Sequence, residues 1–410
     1  MRMAELSTVR VGDLGRVVTG KTPPSSQPEL FGEQYPFLTP TDINGAARFI
    51  EPGRFLSSLG RGYQYRLMLP ARSVCVVCIG ATIGKVCMTN RPSFTNQQIN
   101  SVVVNEDEHD PFFVYYLMTT LRDELKSNAG GVATPIINKT AFSEIEVDVP
   151  PLPIQRRIAG ILSAYDDLIE NNQRRIRILE DMARSLYREW FVHFRYPGHE
   201  SVPLVDSPLG QIPQGWEVKP APDCIAINPR VTVPREGEKP FVPMGCLSND
   251  SMLISDIESR CGNSGAKFQN GDTLFARITP CLENGKTGFV QFLPNSQDVA
   301  FGSTEFIVLR SRTLTPEFVY CLARSDEFRN AAIKSMSGAT GRQRVQEKCF
   351  DAFLIAQPPH KLLDRFSEVV VPSFRLIYGL QHQIENLRRT RDLLLPRLLS
   401  GQLALRAIID

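Results

Sequence analysis

Basic, amide and hydroxyl side chains recur in loops that also contain glycine or proline. Arginine and lysine bind phosphate oxygens and guanine edges, whereas asparagine and glutamine pair with adenine edges. Loops carried by a rigid scaffold are the usual place for such contacts. The candidates are Lys21, Thr22, Lys85, Asn96, Gln97, Gln98, Thr134 and Lys139 in the first half, and Arg230, Arg277, Lys286, Arg342 and Arg344 in the second. The alternative for each is an exposed loop side chain without a ligand.

The loop GATGRQR at 338–344 is the strongest of these candidates. Its glycines would let the backbone approach a phosphate, while Arg342 and Arg344 project from the same turn. This chemistry is that of nucleic-acid binding.

No catalytic motif accompanies these loops, and we predict no catalytic residue. The closest approach to a phosphate-binding loop is Gly80–Lys85, which has three residues between its glycines and Val86 where Ser or Thr is needed. We interpret it as a turn between strands. The double prolines in PPLP and PPHK lack the flanking residues of an adenine-methyltransferase motif. The five histidines are scattered, with no nucleophile beside them.

The cysteines do not predict a metal site. Cys75 and Cys78 form a CxxC inside the apolar run SVCVVCIG, and no second CxxC or His pair occurs at zinc spacing. We expect them to be buried strand residues, because free cysteine behaves as a small hydrophobe. The total of nine is odd, which does not fit a disulfide framework.

The overall charge is close to neutral, with 46 basic and 44 acidic residues. A protein that binds DNA through its whole field is usually more basic. Either DNA is not the ligand, or local patches and partner subunits supply the positive potential. No apolar run approaches the ~20 residues of a membrane span, and the N-terminus lacks a secretion signal. We therefore expect a cytoplasmic protein without a membrane partner.

The elements that position these loops are duplicated. DPFFVYYLM at 110–118 resembles TPEFVYCLA at 315–323, and the double prolines at 150–151 and 358–359 are 208 residues apart. In each half, candidate strands precede a short helix, a glycine-containing loop and a final strand. The strands include RSVCVVCIG and INSVVVNE in the first half, and GDTLFARIT and STEFIVLRS in the second.

Each double proline is followed by a long helix with a heptad pattern. The first has Ile158, Tyr165, Asn172, Leu179 and Leu186, with Ile161, Leu168 and Met182 at the companion position. The second has Phe366, Ser373, Leu380, Leu387 and Leu394, with Val369 and Leu376 beside them. This spacing predicts a coiled-coil seam. Because proline is disfavoured inside helices, we expect the second helix to start or kink near Pro372 and to kink near Pro396, and Gly401 to mark its end.

The predicted organisation has five parts. They are a first domain at 1–152, a long helix at 153–196, a linker rich in Pro, Gly and Ser at 197–214, a second domain at 215–360 and a second long helix at 361–406. The fold class is α+β, with two mixed α/β domains joined by helices that form an antiparallel intramolecular coiled coil with pseudo-twofold duplication.

This duplication has a mechanical consequence. Duplicated halves usually pack about an approximate twofold axis, which would make the two helices antiparallel and invert the two domains. B-DNA has the same kind of symmetry, so two inverted domains would contact two half-sites one helical turn or more apart. The dissimilar loops favour unlike half-sites. The alternative is a coiled-coil scaffold that binds proteins and no DNA.

Four phrases distinguish between these alternatives. They are PPLPIQRRIA at 150–159, SLYREWFVHFRYPG at 185–198, LGQIPQGWE at 209–217 and TRDLLLPRLLSGQL at 390–403. In this order, over almost the whole chain, they resemble the specificity subunits of type I restriction–modification systems.

The resemblance implies a non-catalytic subunit whose two target-recognition domains each bind one half of a split site in double-stranded DNA. It further implies that the helices bind two modification (methyltransferase) subunits and that restriction subunits join this core. Cofactors are expected on those partners, as S-adenosylmethionine, ATP and Mg²⁺, and none on this chain.

An aromatic cluster ends the first helix. Because Trp and Tyr are enriched at interfaces, Tyr187, Trp190, Phe191 and Phe194 are candidates for docking a partner. The alternative is packing against the second domain.

Overall fold

The protein is described by a computed structural model covering residues 6–43, 47–128, 135–339 and 341–403. Its helices and strands confirm the mixed α+β class. The chain divides into two compact units: unit 1 comprises Met1–Asn171 and Ile384–Asp410, and unit 2 comprises Asn172–Gln383. Each unit therefore contains one predicted domain together with segments of both long helices.

Unit 1 contains the first domain. Its strands are β1 (Ser7–Arg10), β2 (Gly15–Thr19), β3 (Phe31–Gly32), β4 (Tyr35–Leu38), β5 (Phe55–Leu56), β6 (Val74–Val77), β7 (Val86–Met88), β8 (Phe94–Thr95), β9 (Ile99–Val104) and β10 (Glu146–Val149). Its helices are α1 (Ser58–Tyr63), α2 (Pro111–Thr120), α3 (Arg122–Asn128), α4 (Lys139–Ser143) and the first part of α5 (Leu152–Tyr187).

The first domain has two four-stranded sheets. One has the order β2-β9-β6-β7 with antiparallel neighbours, and the other has the order β3-β5-β4-β8, in which β4 and β8 are parallel. Every residue of β6 is buried, as its β-branched and cysteine side chains predict. Strands β1 and β10 pair, so the two ends of the domain meet beside the start of α5.

Unit 2 contains the second domain. Its strands are β11 (Leu204–Ser207), β12 (Gly210–Pro213), β13 (Glu217–Pro220), β14 (Ile225–Ile227), β15 (Lys239–Val242), β16 (Glu258–Arg260), β17 (Ala266–Phe268), β18 (Thr273–Ala276), β19 (Thr287–Phe289), β20 (Ala300–Gly302), β21 (Phe306–Ser311) and β22 (Leu354–Gln357). Its helices are α6 (Ala221–Cys224), α7 (Pro316–Ala323), α8 (Asp326–Lys334) and most of α9 (His360–Leu399).

The second domain repeats the strand order of one sheet of the first domain, whereas its other sheet has β17 beside β20 and no strand equivalent to β3. Its sheets have the orders β14-β21-β18-β19 and β16-β15-β20-β17, again with one parallel pair, β15 and β20. Strands β13 and β22 pair as β1 and β10 do. The predicted linker is not wholly irregular, because β11 and β12 form a hairpin in it. Gly210 supplies the positive φ (88°) that its turn requires.

The long helices begin directly after the double prolines. A π-type turn, Arg188–Val192, extends α5. Of the two alternatives for Pro372, a helix start is wrong, because α9 begins at His360 and includes both Pro372 and Pro396. The kinks expected near these prolines stay predictions. The end of this helix agrees with the prediction: Gly401 follows it with φ 69°, in the left-handed region.

The prediction of a heptad seam on the long helices is only partly correct. The side chains buried along α5 and its π-type turn are Gln155, Ile158, Ala159, Leu162, Asp166, Ile169, Asn172, Ile176, Glu180, Ala183, Tyr187, Trp190 and Phe191. By contrast, the predicted companion residues Leu168 and Met182 are 51% and 60% exposed. The predicted companion residues of α9, Val369 and Leu376, are 56% and 42% exposed. The reason is that each helix packs against a folded domain as well as a second helix. The buried stripe still repeats every seven residues, at Leu162, Ile169, Ile176, Ala183 and Trp190, but this row lies one residue after the predicted companion row.

Within each unit the two helix segments are antiparallel. In unit 1, Asp166 of α5 pairs with Arg391 of α9, and Ile158 shares a core cluster with Leu398. In unit 2, Asn172 hydrogen-bonds to Gln383 at 3.3 Å, and Trp190 contacts Phe366 with ring centroids 6.1 Å apart. In both units, later residues of α5 meet earlier residues of α9.

A buried ion cluster joins the first domain to the helices in unit 1. Arg48 is 4% exposed and pairs with Asp167 and, at 3.1 Å, with Glu170 of α5. Asp166 accepts a hydrogen bond from the Tyr116 hydroxyl of α2 at 2.6 Å and also pairs with Arg391. Burial lowers the pKa of Arg48, but its bonds to the carboxylates outweigh that effect and raise it overall.

Aromatic rings occupy the equivalent place in unit 2. Phe374, which is 208 residues after Asp166, packs between Phe289 and Tyr320 with centroid distances of 5.1 and 5.6 Å. Glu180 of α5 is the main charged contact here. It accepts hydrogen bonds from the Ser251 hydroxyl (2.6 Å) and the Met252 backbone N–H (2.8 Å).

Among the described residues, no helix has the length and apolar character needed to cross a membrane.

Candidate nucleic-acid interface

The loop after β2 and the loop before β9 bring several predicted residues of the first domain together. The Thr22 hydroxyl donates a hydrogen bond to the Gln97 side chain at 2.7 Å. The backbone N–H of Lys21 donates to the carbonyl of Thr95 at 3.0 Å. Gly20 makes this approach possible, because a Cβ there would lie 2.2 Å from that carbonyl oxygen. Lys21 is exposed, and Thr22 is half-buried.

The two other amides of this group are largely internal. Asn96 is 7% exposed and donates to the side-chain oxygen of Gln98 at 2.9 Å, while its own oxygen accepts from the Gln98 backbone N–H at 3.1 Å. This reciprocal pair shapes the loop. Gln97, which is exposed, is therefore the amide that the structure leaves best placed to contact a base edge.

The remaining first-domain candidates lie elsewhere. Lys85 ends the turn between β6 and β7, where Val77 N–H donates to its carbonyl at 2.9 Å. This agrees with the interpretation of Gly80–Lys85 as a turn between strands. Lys139 is exposed at the first position of α4. Thr134 lies outside the described residues.

The sequence analysis missed a basic and aromatic segment beside Lys21. Its sequence, RGYQYR at 61–66, exposes both arginines and both tyrosines, and the Lys21 ammonium lies 5.7 Å from the centroid of the Tyr63 ring. A usable signal was present, because residues 54–72 contain four arginines and no acidic residue. Interleaved basic and aromatic residues are typical of nucleic-acid surfaces.

In the second domain, two predicted arginines are held by carboxylates. Arg344 makes a two-pronged pair with Glu305, with contacts of 2.9 and 2.7 Å, and this bond lowers the pKa of Glu305. Arg277 pairs with Glu347 at 2.9 Å and donates to the Val345 carbonyl at 3.2 Å. These pairs orient the arginines and cancel much of their charge.

Arg230 and Arg277 share a cavity of about 470 Å³. Asn228, Lys267 and Thr304 also line it, so it presents three cations and two neutral polar groups. Arg342 is exposed on the neighbouring loop. Lys286 has a structural role in the free chain, because its ammonium donates to the carbonyls of Met244 (3.2 Å) and Leu247 (2.9 Å).

The aromatic residues predicted to dock a partner pack mostly inside unit 2. Tyr187, Trp190 and Phe191 are 5%, 8% and 6% exposed. The Phe191 ring lies 4.8 Å from Phe318 and 5.0 Å from Phe366, and Phe194 lies 5.2 Å from Trp216. This arrangement corresponds to the alternative given for the cluster, in which its rings pack against the second domain. Of the four, Phe194 is the one that retains substantial accessible surface.

Cys75 and Cys78 are buried and free. In the part of the chain that the structure describes, no three His, Cys, Asp or Glu residues are grouped so that they could hold a metal ion.

Known proteins share both sequence and fold with this chain. Residues 3–181 match the model of the type I restriction modification DNA specificity domain. The MjaIX specificity subunit of Methanocaldococcus jannaschii is 27% identical over 96% of this chain and 92% of its own length. Residues 3–181 are therefore similar to that DNA specificity domain, and almost the whole chain is similar to a type I restriction enzyme specificity subunit. The HindI specificity subunit of Haemophilus influenzae is 36% identical, over 40% of this chain and 37% of its own length.

A solved structure has the same fold. The S subunit of a type I restriction–modification system from M. genitalium aligns over 97% of both chains with a TM-score of 0.59 and 13% identity. A specificity subunit is the non-catalytic member of its enzyme, and it works with DNA and with other restriction–modification subunits. The absence of catalytic motifs in the sequence is consistent with this class.

Proposed function

We propose that this chain recognises a split DNA site, with one half bound by each domain. The observation that carries the proposal is the repeat itself: both domains share the strand order of one four-stranded sheet and a parallel strand pair in the other, while their equivalent loops present different side chains. The loops before β9 and β21 show the contrast, since the first offers Gln97 and the second holds Glu305 against Arg344. Equal scaffolds with unlike loops suit two unlike half-sites.

Methylome sequencing of a host with and without this gene tests the proposal. We expect one bipartite motif to lose its methylation when the gene is removed. Exchange of residues 1–150 for another first domain should alter one half of the motif and leave the other unchanged. Loss of no bipartite motif, or a change in both halves after the exchange, would contradict the proposal. With DNA as its ligand, the proposed place of action is the cytoplasm.

We also propose that the long helices bind two modification subunits, which restriction subunits then join. Ile161 and Leu168 on α5 and Val369 and Leu376 on α9 are apolar pairs 208 residues apart. Leu168 is 51% exposed in unit 1, and Val369 and Leu376 are 56% and 42% exposed in unit 2. Ile161 is partly buried against the core of unit 1, so Leu168 and Leu376 are the pair that is exposed in both units. An exposed apolar position that recurs with the duplication suits a partner that is present twice.

Native mass spectrometry of the assembled complex tests this stoichiometry. The wild type should carry two modification subunits, Leu168→Glu or Leu376→Glu should carry one, and the double variant should carry none. Ile178→Glu is the matched control, because Ile178 is 51% exposed but its counterpart 208 residues later is the polar Asn386. Two bound copies in both single variants would refute the assignment of these faces.

A further inference from the structure

One connection differs sharply between the two domains. In the first domain, Ser57–Met68 joins β5 to Leu69, which makes a bridge with Ser93. In the second domain, Cys261–Gly265 joins β16 to β17, which pairs with β20. The flanking strands are equivalent, but the first domain has a connection more than twice as long, which includes α1. We call Ser57–Met68 the α1 segment.

The α1 segment is positively charged and is not neutralised by carboxylates. Arg61 and Arg66 are exposed, and neither has a carboxylate within 4.0 Å among the described residues. This contrasts with Arg277 and Arg344 of the second domain, each of which is held by a glutamate. A cation without a carboxylate partner keeps its full attraction for an external anion.

Tyrosine rings restrain these cations. The Arg61 guanidinium lies 5.5 Å from the Tyr35 ring centroid, and the Arg66 guanidinium lies 5.9 Å from that of Tyr65. Lys21 lies 5.7 Å from the Tyr63 ring, which brings one predicted DNA contact to the same surface. Such contacts limit side-chain motion while leaving the positive charge uncancelled.

The segment is also fixed to the domain beneath it. The Ser57 hydroxyl accepts from Gly60 N–H at 3.2 Å and donates to the Glu29 carbonyl at 2.6 Å. A Cβ at Gly60 would lie 2.1 Å from the Leu30 carbonyl oxygen, so glycine is required there. Gln64 is 6% exposed, whereas Tyr63 and Tyr65 on either side are 49% and 62% exposed. A tethered backbone thus presents exposed rings and cations.

We propose that the α1 segment, with Lys21, binds the sugar–phosphate backbone of DNA at the half-site of the first domain. The inference rests on the proposed function, which it extends to one element. Arginine, lysine and tyrosine all donate hydrogen bonds to phosphate oxygens, and such contacts set the position of a protein on the duplex without specifying the sequence. The short connection in the second domain has no equivalent of the α1 segment, so the two domains make unequal contacts with the DNA backbone.

The experiment measures DNA affinity of the complex assembled with its modification subunits, on a duplex carrying the methylated motif, over a series of salt concentrations. Arg61→Ala and Arg66→Ala should each reduce the slope of log K against log salt by about 0.9. The double variant should lose about twice that slope, and the methylated motif should stay the same. Arg61→Lys and Arg66→Lys should restore the slope, because lysine also neutralises a phosphate. Arg10→Ala is the matched control, an exposed arginine of the same domain that is paired with Glu144.

Equal slopes for the double variant and the Arg10→Ala control, in a complex that still methylates its bipartite motif, would overturn this inference and leave the proposed function intact. Loss of modification subunits from the double variant, with unchanged DNA binding, would show a protein-docking surface and also overturn it. A wild-type complex that methylates no bipartite motif would refute the proposed function itself.

Discussion

Equivalent positions of the two long helices contact their domains by different chemistry. Asp166 in unit 1 is a buried carboxylate held by Tyr116 and Arg391, and Phe374 in unit 2 is a buried ring between Phe289 and Tyr320. The two side chains occupy equivalent positions of the repeat, 208 residues apart. The duplication therefore preserves burial at this helix position, while the partner groups in each domain determine whether the buried group is ionic or apolar.

The largest loss of stability is expected from a variant that breaks the buried ion cluster of unit 1. Arg48→Ala should destabilise unit 1 by about 3–5 kcal/mol, because it empties a buried site, removes the ion pairs to Asp167 and Glu170, and takes away one of the two cations beside the buried Asp166. Chemical denaturation followed by circular dichroism measures the loss. Arg91→Ala is the control, since the pair that Arg91 forms with Glu51 is exposed and should contribute less than about 1 kcal/mol. Equal losses for the two variants would show that the buried cluster adds no stability.

A slightly smaller loss of stability is expected where Phe374 packs between Phe289 and Tyr320. Phe374→Ala should destabilise unit 2 by about 3 kcal/mol, through lost apolar contact and the cavity left behind. Leu376→Ala, on an exposed neighbouring position, provides the control. The same denaturation experiment at low and high salt sharpens the comparison. The Phe374→Ala loss should not change with salt, and a strong salt dependence would count against an apolar junction.

The smallest effect concerns pH and Glu180. Burial raises the pKa of this carboxyl, although the bonds from Ser251 and Met252 oppose the shift. A raised pKa in the folded state means that stability falls as pH rises through that value. Glu180→Gln keeps an acceptor oxygen and removes the charge.

We therefore expect Glu180→Gln to be more stable than the wild type at pH 7, by less than about 1 kcal/mol. The two should converge below the ordinary carboxyl pKa of about 4.3. Thermal unfolding between pH 4 and pH 8 measures the difference, with Asp181→Asn as the exposed control. A Glu180→Gln variant that is less stable at pH 7 would mean that the charged form is the favoured one in the fold.

Much of the architecture was predictable because it is encoded locally. The two double prolines, the apolar strands and the glycine after α9 lie within a few residues of the features they specify. The heptad interpretation failed at Leu168 and Met182, because Ile169 and Ile176 on the neighbouring face are also apolar and the sequence fits a heptad in either register. The site was predicted as loops, but the α1 segment was overlooked because its residues match no named motif.

The duplication, the class of most elements and the loops with polar side chains could be predicted from the sequence alone, because repeats and periodicity are visible in the order of residues. The tertiary structure decided which cations remain available. Glu305 meets Arg344, and Arg48 meets Glu170, only because strand register and helix packing bring distant residues together. Register is set by which faces of whole strands are buried, so no local pattern reveals that Arg344 is paired with a carboxylate while Arg66 is not.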